Sequence, residues 1–583
     1  MAFHPIQDAP RGKARRRTRV AAFVCALWLL LIVGRLVQLQ VFGHARAVER
    51  VTAQSQQMTV IQAYRGTIFD RRGRILARSL PTRTIYYDPN PQDSLSARFE
   101  VVRRLQGKLG LSREDLDRIQ AQLADNAPRI WLKRKADRDL AAQVCSLRLG
   151  IGYEEDSRRF YPLGAQAAHV LGGVKADGTG AAGIESKFNS ALMGQPGRGF
   201  LLRDARLRRY GLEVLEEPQT GRDLTLTLDE TIQYIAQSEL EKAVAETGAS
   251  WGTVIVSDPR SGEILAMASA PSYDPNLYSR TPEAAFNPAV QQTIEPGSTF
   301  KIVTAAAALE TRAVSLSDSF DCSDGSIAVP GGAIRDHKIF GRLDFAGVII
   351  HSSNVGAVRA GRRLDPDSFE AMIRAFGFGR RTGIELPGEP EGRLRPAGEW
   401  SRRSQASLSI GYEIAATPLQ MLQAVNVVAS RGHLVPPRIV RSVQGGRPRP
   451  AAPESAPVLS PAACERLAGI LERVVGEGTG REAAAEGYQA AGKTGTTQKF
   501  DPAAGSYSSR HHIASFVGYV PAENPRLSMV VILDDPKAGE HYGGQVAAPV
   551  FREIARRALL VVGVPPHRPA GALAARAGRE AAR

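Results

Sequence analysis

Between Val20 and Gly34 the chain carries no charged residue, and past Arg35 it stays mostly apolar to Phe42. As a helix, Val20–Phe42 would span about 34 Å at about 1.5 Å per residue, enough to cross the hydrocarbon core of a bilayer. Six basic residues precede it (Arg11, Lys13, Arg15, Arg16, Arg17 and Arg19), and such a flank stays on the cytoplasmic side. Arg35 lies toward one end, where its long stem can snorkel to the interface. The expected arrangement is a cytoplasmic tail at 1–19, a single transmembrane anchor at 20–42, and everything later outside the cytoplasm. The competing reading is a cleaved signal peptide, with Ala45-Arg46-Ala47 as an A-x-A-like site. Against it, the apolar segment exceeds the usual h-region of about 7–15 residues. No later stretch approaches a second span.

The 583 residues exceed one ordinary domain. A formal net charge of +16 raises the question of nucleic acid. The excess lies partly in the N-terminal flank and partly in the last twenty residues (Arg568, Arg576, Arg579 and Arg583 against Glu580). The remainder is spread thinly, with no lysine-rich block and no zinc-finger spacing, so no nucleic-acid partner is expected. Cys25, Cys145, Cys322 and Cys464 form no C-x-x-C motif. Buried thiols are expected rather than a disulfide framework. With no His/Cys ligand cluster, neither metal nor cofactor is expected.

Residues 45–220 are an irregular first external region. There "RGTIFDRRGRILA" predicts strand, turn and strand, and helix follows around 92–125. "GRGFLLRDARLRRYGLEVLEEPQTGRD" is charged and broken by Gly and Pro, and is expected to join two domains. From Asp223 the texture changes. "DLTLTLD" alternates, "ETIQYIAQSELEKAVAET" has helical period, and "GTVIVSDPRSGEILAMAS" is strand, turn, strand. "HIASFVGYV" and "RLSMVVILDD" are apolar strands, followed by the helix "AAPVFREIARRALLVV". Strands at both ends with helices between them predict an α+β fold, an antiparallel sheet with helices on both faces, over 223–563. Residues 564–583 are poor in large apolar side chains and are expected to be a disordered tail.

Three short motifs carry chemistry. Ser298-Thr299-Phe300-Lys301 is S-x-x-K. On a helix, i and i+3 share a face, which brings Lys301 Nζ within hydrogen-bond reach of Ser298 Oγ. A buried lysine near other cations loses its proton more easily and can then accept the serine's. Taken alone the motif is weak, since a capping serine and a solvent-facing lysine fit it equally. Ser352-Ser353-Asn354 is the chain's one S-x-N, and Lys493-Thr494-Gly495 its one K-T-G. On a strand, Gly495 would let a ligand approach the backbone closely.

The order and spacing of these motifs resemble those of penicillin-binding proteins and serine β-lactamases. "RGTIFDRRGRILA" looks like the R-G-x-I-x-D-R-x-G element of class B penicillin-binding proteins. "RFYPLGAQAAHVLGGV", "ILAMASAPSYDPN", "ATPLQM" and "VAAPVF" extend the likeness to about residue 560. The resemblance implies an elongated non-catalytic N-terminal domain, a penicillin-binding transpeptidase domain, and acyl transfer on the D-Ala-D-Ala end of peptidoglycan stem peptides. It implies Ser298 as nucleophile, Lys301 as base, and Ser352 with Lys493 as proton relay. Asn354 would orient Lys301, and Lys493 with Thr494 would bind the terminal carboxylate. The N–H groups of Ser298 and Thr496 would form the oxyanion hole. β-Lactams would acylate Ser298. Tyr507 and Phe516 would line the acceptor cleft, whereas His351 and the pair His511-His512 are expected to be packing or surface residues.

Residues 45–220 leave no room for a glycosyltransferase domain, which points to a monofunctional class B protein. Length and the short N-terminal region favour the septal (FtsI-type) subclass over the elongation type. That implies an inner-membrane, periplasm-facing enzyme working with an FtsW-like SEDS glycosyltransferase and other division proteins. The non-enzyme alternative is a membrane β-lactam sensor or a division scaffold. One departure stands out: Glu413 in "SIGYEIAATPLQ" occupies a position where both subclasses lead one to expect glycine.

Overall fold

The apolar stretch behind the basic flank is helical in the computed structural model, which describes residues 11–42, 44, 56–203, 209–446 and 457–566. An α-helix, Arg11–Val37, runs into a π-helical turn, Gln38–Phe42. By length and composition it is the one described helix able to cross a membrane. Phe23, Trp28 and Leu30 are all more than 60% exposed along it, as a lipid-facing surface requires. The A-x-A-like stretch at 45–47 and the tail at 567–583 lie outside the described residues.

The chain divides into two compact units. The first, Met1–Ala63 with Gln195–Gln219, contains a three-stranded antiparallel sheet in the order Gln56–Ile61, Gly197–Arg203, Arg209–Glu216. Its second and third strands correct the expected join. "GRGFLLR" and "RYGLEVLE" hide a period-two pattern under their charges, and Leu201 pairs with Leu212 across the hairpin.

The second unit is Tyr64–Gly194 with Thr220–Arg583. Strands β1 (Ile68–Phe69), β2 (Ile75–Tyr87), β3 (Ile130–Ala136), β4 (Ile151–Phe160) and β5 (Leu224–Leu226) belong to one mixed sheet. Asp70 makes the β1–β2 turn, its Oδ1 accepting the N–H groups of Arg72 and Arg74 at 2.8 Å. Helices Leu95–Leu109 and Arg113–Ala124 fill the expected helical stretch, each capped by serine, Ser94 and Ser112. Helix α1 (Glu230–Thr247) starts on Asp229, whose carboxylate accepts two backbone N–H groups, and stops at left-handed Gly248.

Strands β6 (Trp251–Ser257) and β7 (Ile264–Ala270) are buried over nearly their whole length. Such strands need cover on both faces. With β9 (Ala491–Asp501), β10 (Ser506–Val520) and β11 (Leu527–Asp534) they form an antiparallel sheet in the order β7-β6-β11-β10-β9. Helix α1 and the C-terminal helix α6 (Ala548–Val561) pack one face, with Ile235, Val254, Val531 and Phe551 in a common core. The other face carries α2 (Lys301–Glu310), α3 (Asn354–Gly361), α4 (Pro418–Ala429) and α5 (Pro461–Gly476) over the larger core. A strand β8 (Val440–Val443), before α5, pairs with β5 of the mixed sheet. Cys322 and Cys464 are buried as expected, Cys145 only partly, and Cys25 lies exposed on the apolar helix.

One ion cluster ties the start of this unit together. Glu185, fully buried, accepts from Arg65 Nε at 2.5 Å and from Arg159 Nε at 2.6 Å. Tyr161 donates its hydroxyl to the same carboxylate at 3.3 Å. Removing one partner from such a cluster leaves the remaining charges uncompensated in a dry interior. Glu185→Ala should therefore lower the unfolding free energy of the full chain by about 3–5 kcal/mol, read as a shift in the urea midpoint. A loss below about 1 kcal/mol would show that water reaches the two guanidinium groups.

Candidate active site

Ser298 lies on a single 3-10 turn, Gly297–Phe300, and α2 begins at Lys301. The turn is wedged between strand and loop. Gly297 has φ +54°, and a Cβ there would lie 2.0 Å from Thr497 Oγ1 of β9. On its other side Gly297 N–H donates to Gly411 O at 3.1 Å. Phe300 packs edge-on against Phe378 at 5.2 Å, and the Thr299 hydroxyl folds back to Pro296 O at 2.8 Å. The alanines after Lys301 are fully buried, but helices α3, α4 and α5 surround them. The turn before α2, rather than α2 itself, packs closely on β9.

Lys301 and Lys493 are both fully buried. Lys301 Nζ donates to Ser352 O at 2.7 Å, Asn354 Oδ1 at 2.8 Å and Ser352 Oγ at 3.3 Å. Lys493 Nζ donates to the same Ser352 Oγ at 2.9 Å and to Thr494 O at 3.1 Å. One hydroxyl thus bridges two lysines. Burial pulls Lys301 down to about 7, against the field of Asp336, which favours its charged form. Lys493 is pushed well below the usual lysine range by burial and then by repulsion from Lys301. Ser352 holds its place in a left-handed backbone, φ +59°, a conformation that costs a non-glycine residue energy and recurs at functional sites. Ser353 caps α3, accepting Gly356 N–H at 2.9 Å. The direct Ser298–Lys301 hydrogen bond expected from helical spacing does not form, because Lys301 gives its protons to Ser352 and Asn354 instead.

The K-T-G motif lies on β9, the edge strand of the sheet. At an edge, alternate peptide groups face away from the neighbouring strand, here toward the turn that carries Ser298. Gly495 is also required by the protein itself. A Cβ there would lie 2.4 Å from Ser515 Oγ and 2.9 Å from Thr299 Cγ2, so glycine lets the turn sit against the strand. On the opposite face, Thr494 Oγ1 lies 2.7 Å from Thr479 Oγ1, and Thr496 Oγ1 accepts Gly543 N–H at 3.0 Å.

At the mouth, Glu295 Oε1 accepts the Tyr507 hydroxyl at 3.0 Å and Glu413 N–H at 2.9 Å. Tyr507 meets Tyr412 edge-on at 5.0 Å. Burial raises Glu295 above the usual carboxylate range. Glu413 has φ +61°, which accounts for the expectation of glycine there. Its carboxylate takes the Ser404 hydroxyl at 2.7 Å and Arg395 Nη2 at 2.5 Å. Phe516 does not line the cleft. It is fully buried against Phe551, at 4.8 Å, because its place on β10 faces α6. His351 stacks on Phe340, His511 pairs with Asp535, and His512 stacks on His541 at 4.2 Å. No group of three or more His, Cys, Asp or Glu placed to hold a metal occurs among the described residues.

Two family models match: the penicillin binding protein transpeptidase domain over residues 252–556, and the penicillin-binding protein dimerisation domain over 60–226. The chain is 33% identical to the peptidoglycan D,D-transpeptidase FtsI of Escherichia coli, covering 94% of this chain and 92% of that one. The chain is a class B penicillin-binding protein of the FtsI type. This penicillin-binding protein is also 34% identical to stage V sporulation protein D of Bacillus subtilis, over 86% of this chain and 79% of that one. Among solved structures it resembles penicillin binding protein 3 of Mycobacterium tuberculosis in complex with aztreonam. The TM-score is 0.68 at 29% identity, over 88% of this chain and 99% of that one. It is an enzyme of peptidoglycan crosslinking, with stem peptides as substrate and β-lactams as ligands of its transpeptidase domain.

Sequence reasoning missed several contributors in this penicillin-binding protein. Asp336 and the carbonyl of Arg335 hold the S-x-N segment, and Gly411 buttresses the Ser298 turn. No motif flags the first two. Gly411 has φ +81°, and a Cβ there would lie 2.1 Å from Gly297 O, a backbone atom that cannot swing aside. Gly383 has a similar φ, +82°, with nothing within 4 Å. Gly411→Ala should slow acylation of the protein by a fluorescent penicillin at least about tenfold, because displacing reacting groups by even about 1 Å is costly. Gly383→Ala, with the same backbone strain but no collision, should leave that rate within about twofold. Equal effects would mean that strain, not displacement of the turn, decides the loss.

Proposed function

We propose that this chain crosslinks stem peptides through an acyl-enzyme on Ser298. The observation that carries the reading is the Ser352 hydroxyl shared by two buried lysines beside the nucleophile turn. A lysine held near 7 is in part neutral at physiological pH and can act as a base. Neutral Lys301 takes the Ser298 proton as Oγ attacks the carbonyl carbon of the penultimate D-Ala. Catalytic hydrogen bonds are often long or misaligned before substrate binds, which accommodates the absent Ser298–Lys301 bond. The N–H groups of Ser298 and Thr496 receive the developing oxyanion, the term that is usually largest in acyl transfer. Ser352 passes a proton, with Lys493 behind it, to the departing D-Ala nitrogen. Asn354 orients Lys301, Gly495 seats the turn, and Lys493 with Thr494 binds the terminal carboxylate. A neighbouring stem's amine then attacks the acyl carbon, the ester to Ser298 Oγ breaks, and a 4→3 crosslink remains.

We further propose residues 45–220 as the non-catalytic domain, 223–563 as the transpeptidase domain and 20–42 as an uncleaved anchor in the cytoplasmic membrane, with the catalytic domain periplasmic. Likeness to FtsI supports a septal role beside an FtsW-like glycosyltransferase. A fluorescent fusion should gather at midcell, and an even side-wall signal would favour the elongation-type reading.

Fluorescent penicillin should label the wild-type chain, and Ser298→Ala should abolish the label. Labelling that survives would remove Ser298 as nucleophile and reopen the sensor or scaffold reading. The acylation rate should rise with pH to half its plateau near pH 7, since the base works only after losing its proton and Lys301 is held at about 7. A midpoint above pH 9 would mean that Lys301 is not that base.

A further inference from the structure

Between strand β7 and the Ser298 turn, residues 271–292 fold back through two 3-10 turns, Pro275–Arg280 and Pro282–Ala285. With His169 and with Trp251, the first residue of β6, they line a pocket of about 630 Å³. That volume suits a small molecule or the end of a peptide. Leu277 and Phe286 stand in its wall 47% and 48% exposed, and Trp251 is half-buried beside them. Large apolar side chains left open around a concavity mark a binding surface.

The polar groups in the wall differ in what they have left to give. Asp274 is spent locally, its Oδ1 accepting the N–H and the Nδ2 of Asn276 at 2.9 and 2.8 Å. Burial holds His169 down at about 4, so it is neutral at physiological pH. Arg280 keeps its charge, and among the described residues no hydrogen bond or ion pair engages its guanidinium. A free guanidinium over an apolar wall suits a carboxylate that carries small apolar groups.

The sheet gives the distance to the reaction. Trp251 is paired with Asp534, Asp534 with Ile513, and Ile513 with Thr497, the residue that abuts Gly297 of the Ser298 turn. Three strand spacings are roughly 14 Å. Trp251 packs against the larger core, on the face of the sheet that carries α2.

We propose that this pocket holds the carboxylate end of the acceptor stem peptide. Arg280 pairs with the terminal carboxylate, and Trp251, Leu277 and Phe286 cover the D-Ala methyl groups. The inference rests on the acyl-transfer reading above. In a 4→3 crosslink the attacking amine belongs to the acceptor's third residue, so two further residues lead to the acceptor's own carboxylate. Extended, they span about 7 Å, and the amine-bearing side chain supplies the remainder. The donor's carboxylate goes to Lys493 and Thr494, the acceptor's to Arg280. Holding the acceptor at this end sets its amine at the acyl carbon and favours transfer over hydrolysis.

The test separates the two half-reactions of the full-length protein in detergent. Fluorescent-penicillin acylation reads the first, which needs no acceptor. For the second, the protein is acylated by a D-Ala thioester donor and mixed with a stem pentapeptide whose carboxylate is free or amidated. Crosslinked product is then measured. The wild-type protein should reach half its maximal transfer rate at about tenfold lower concentration of the free acid than of the amide. Arg280→Ala should erase that preference by weakening the free acid alone, with penicillin acylation changed less than about twofold, and Arg280→Lys should retain part of it. Equal use of the two acceptors by the wild type, or a preference that survives Arg280→Ala, would overturn the proposal. A fall in penicillin acylation that matches the fall in transfer would make Arg280 a structural contact and overturn it equally. A wild-type chain that penicillin does not acylate would overturn the acyl-transfer reading, and the pocket is then judged by equilibrium binding. There the free-acid pentapeptide should bind the wild-type chain about tenfold more tightly than Arg280→Ala, and equal binding would overturn the pocket's role.

Discussion

Two buried lysines share one serine hydroxyl, and much of the catalytic half of the molecule is arranged so that they can. An ammonium group taken from water into a protein interior loses most of its solvation. Here the loss is met by oxygens, those of Ser352, Asn354 and the Thr494 backbone, rather than by a carboxylate at contact distance. Neutral acceptors hold an ammonium less firmly than an ion pair would. A lysine so held can give up its proton near neutral pH, which a surface lysine cannot.

That arrangement needs three pieces of chain brought together from far apart: the turn before α2, the start of α3 and the edge strand β9. Helices packed on one face of the five-stranded sheet supply the first two, and the sheet supplies the third. Their spacing is set by backbone contacts as much as by side chains. Gly297 against Thr497, Gly411 against Gly297 and Gly495 against Thr299 are approaches that a methyl group would block. The site is therefore stiff where its parts meet, which preorganised acyl transfer requires.

Much of this was legible in the sequence because its signals are local. The motif trio, the doubly buried strands β6 and β7 and the capped helices each announce themselves within a few residues. What stayed hidden depends on partners distant in sequence. Asp336 looks like any loop aspartate until the fold carries it to Ser353. The pairing of 197–203 with 209–216 was masked by the charged residues set among the apolar ones, Arg198, Arg203, Arg209, Glu213 and Glu216. The Ser298–Lys301 bond, inferred from ideal helical spacing, gave way to stronger acceptors supplied by the S-x-N segment. Phe516 was misplaced because the two faces of an apolar strand cannot be told apart before the sheet's neighbours are known.

The left-handed backbone of Ser352 sets stability and chemistry against each other. Asparagine occupies that region at less cost than serine. Selection for thermal tolerance alone would therefore favour Ser352→Asn, relieving local strain while deleting the hydroxyl on which both lysines converge. A screen that rewards only survival on heating would select against that shared hydroxyl, so engineering of this domain needs turnover scored at every round.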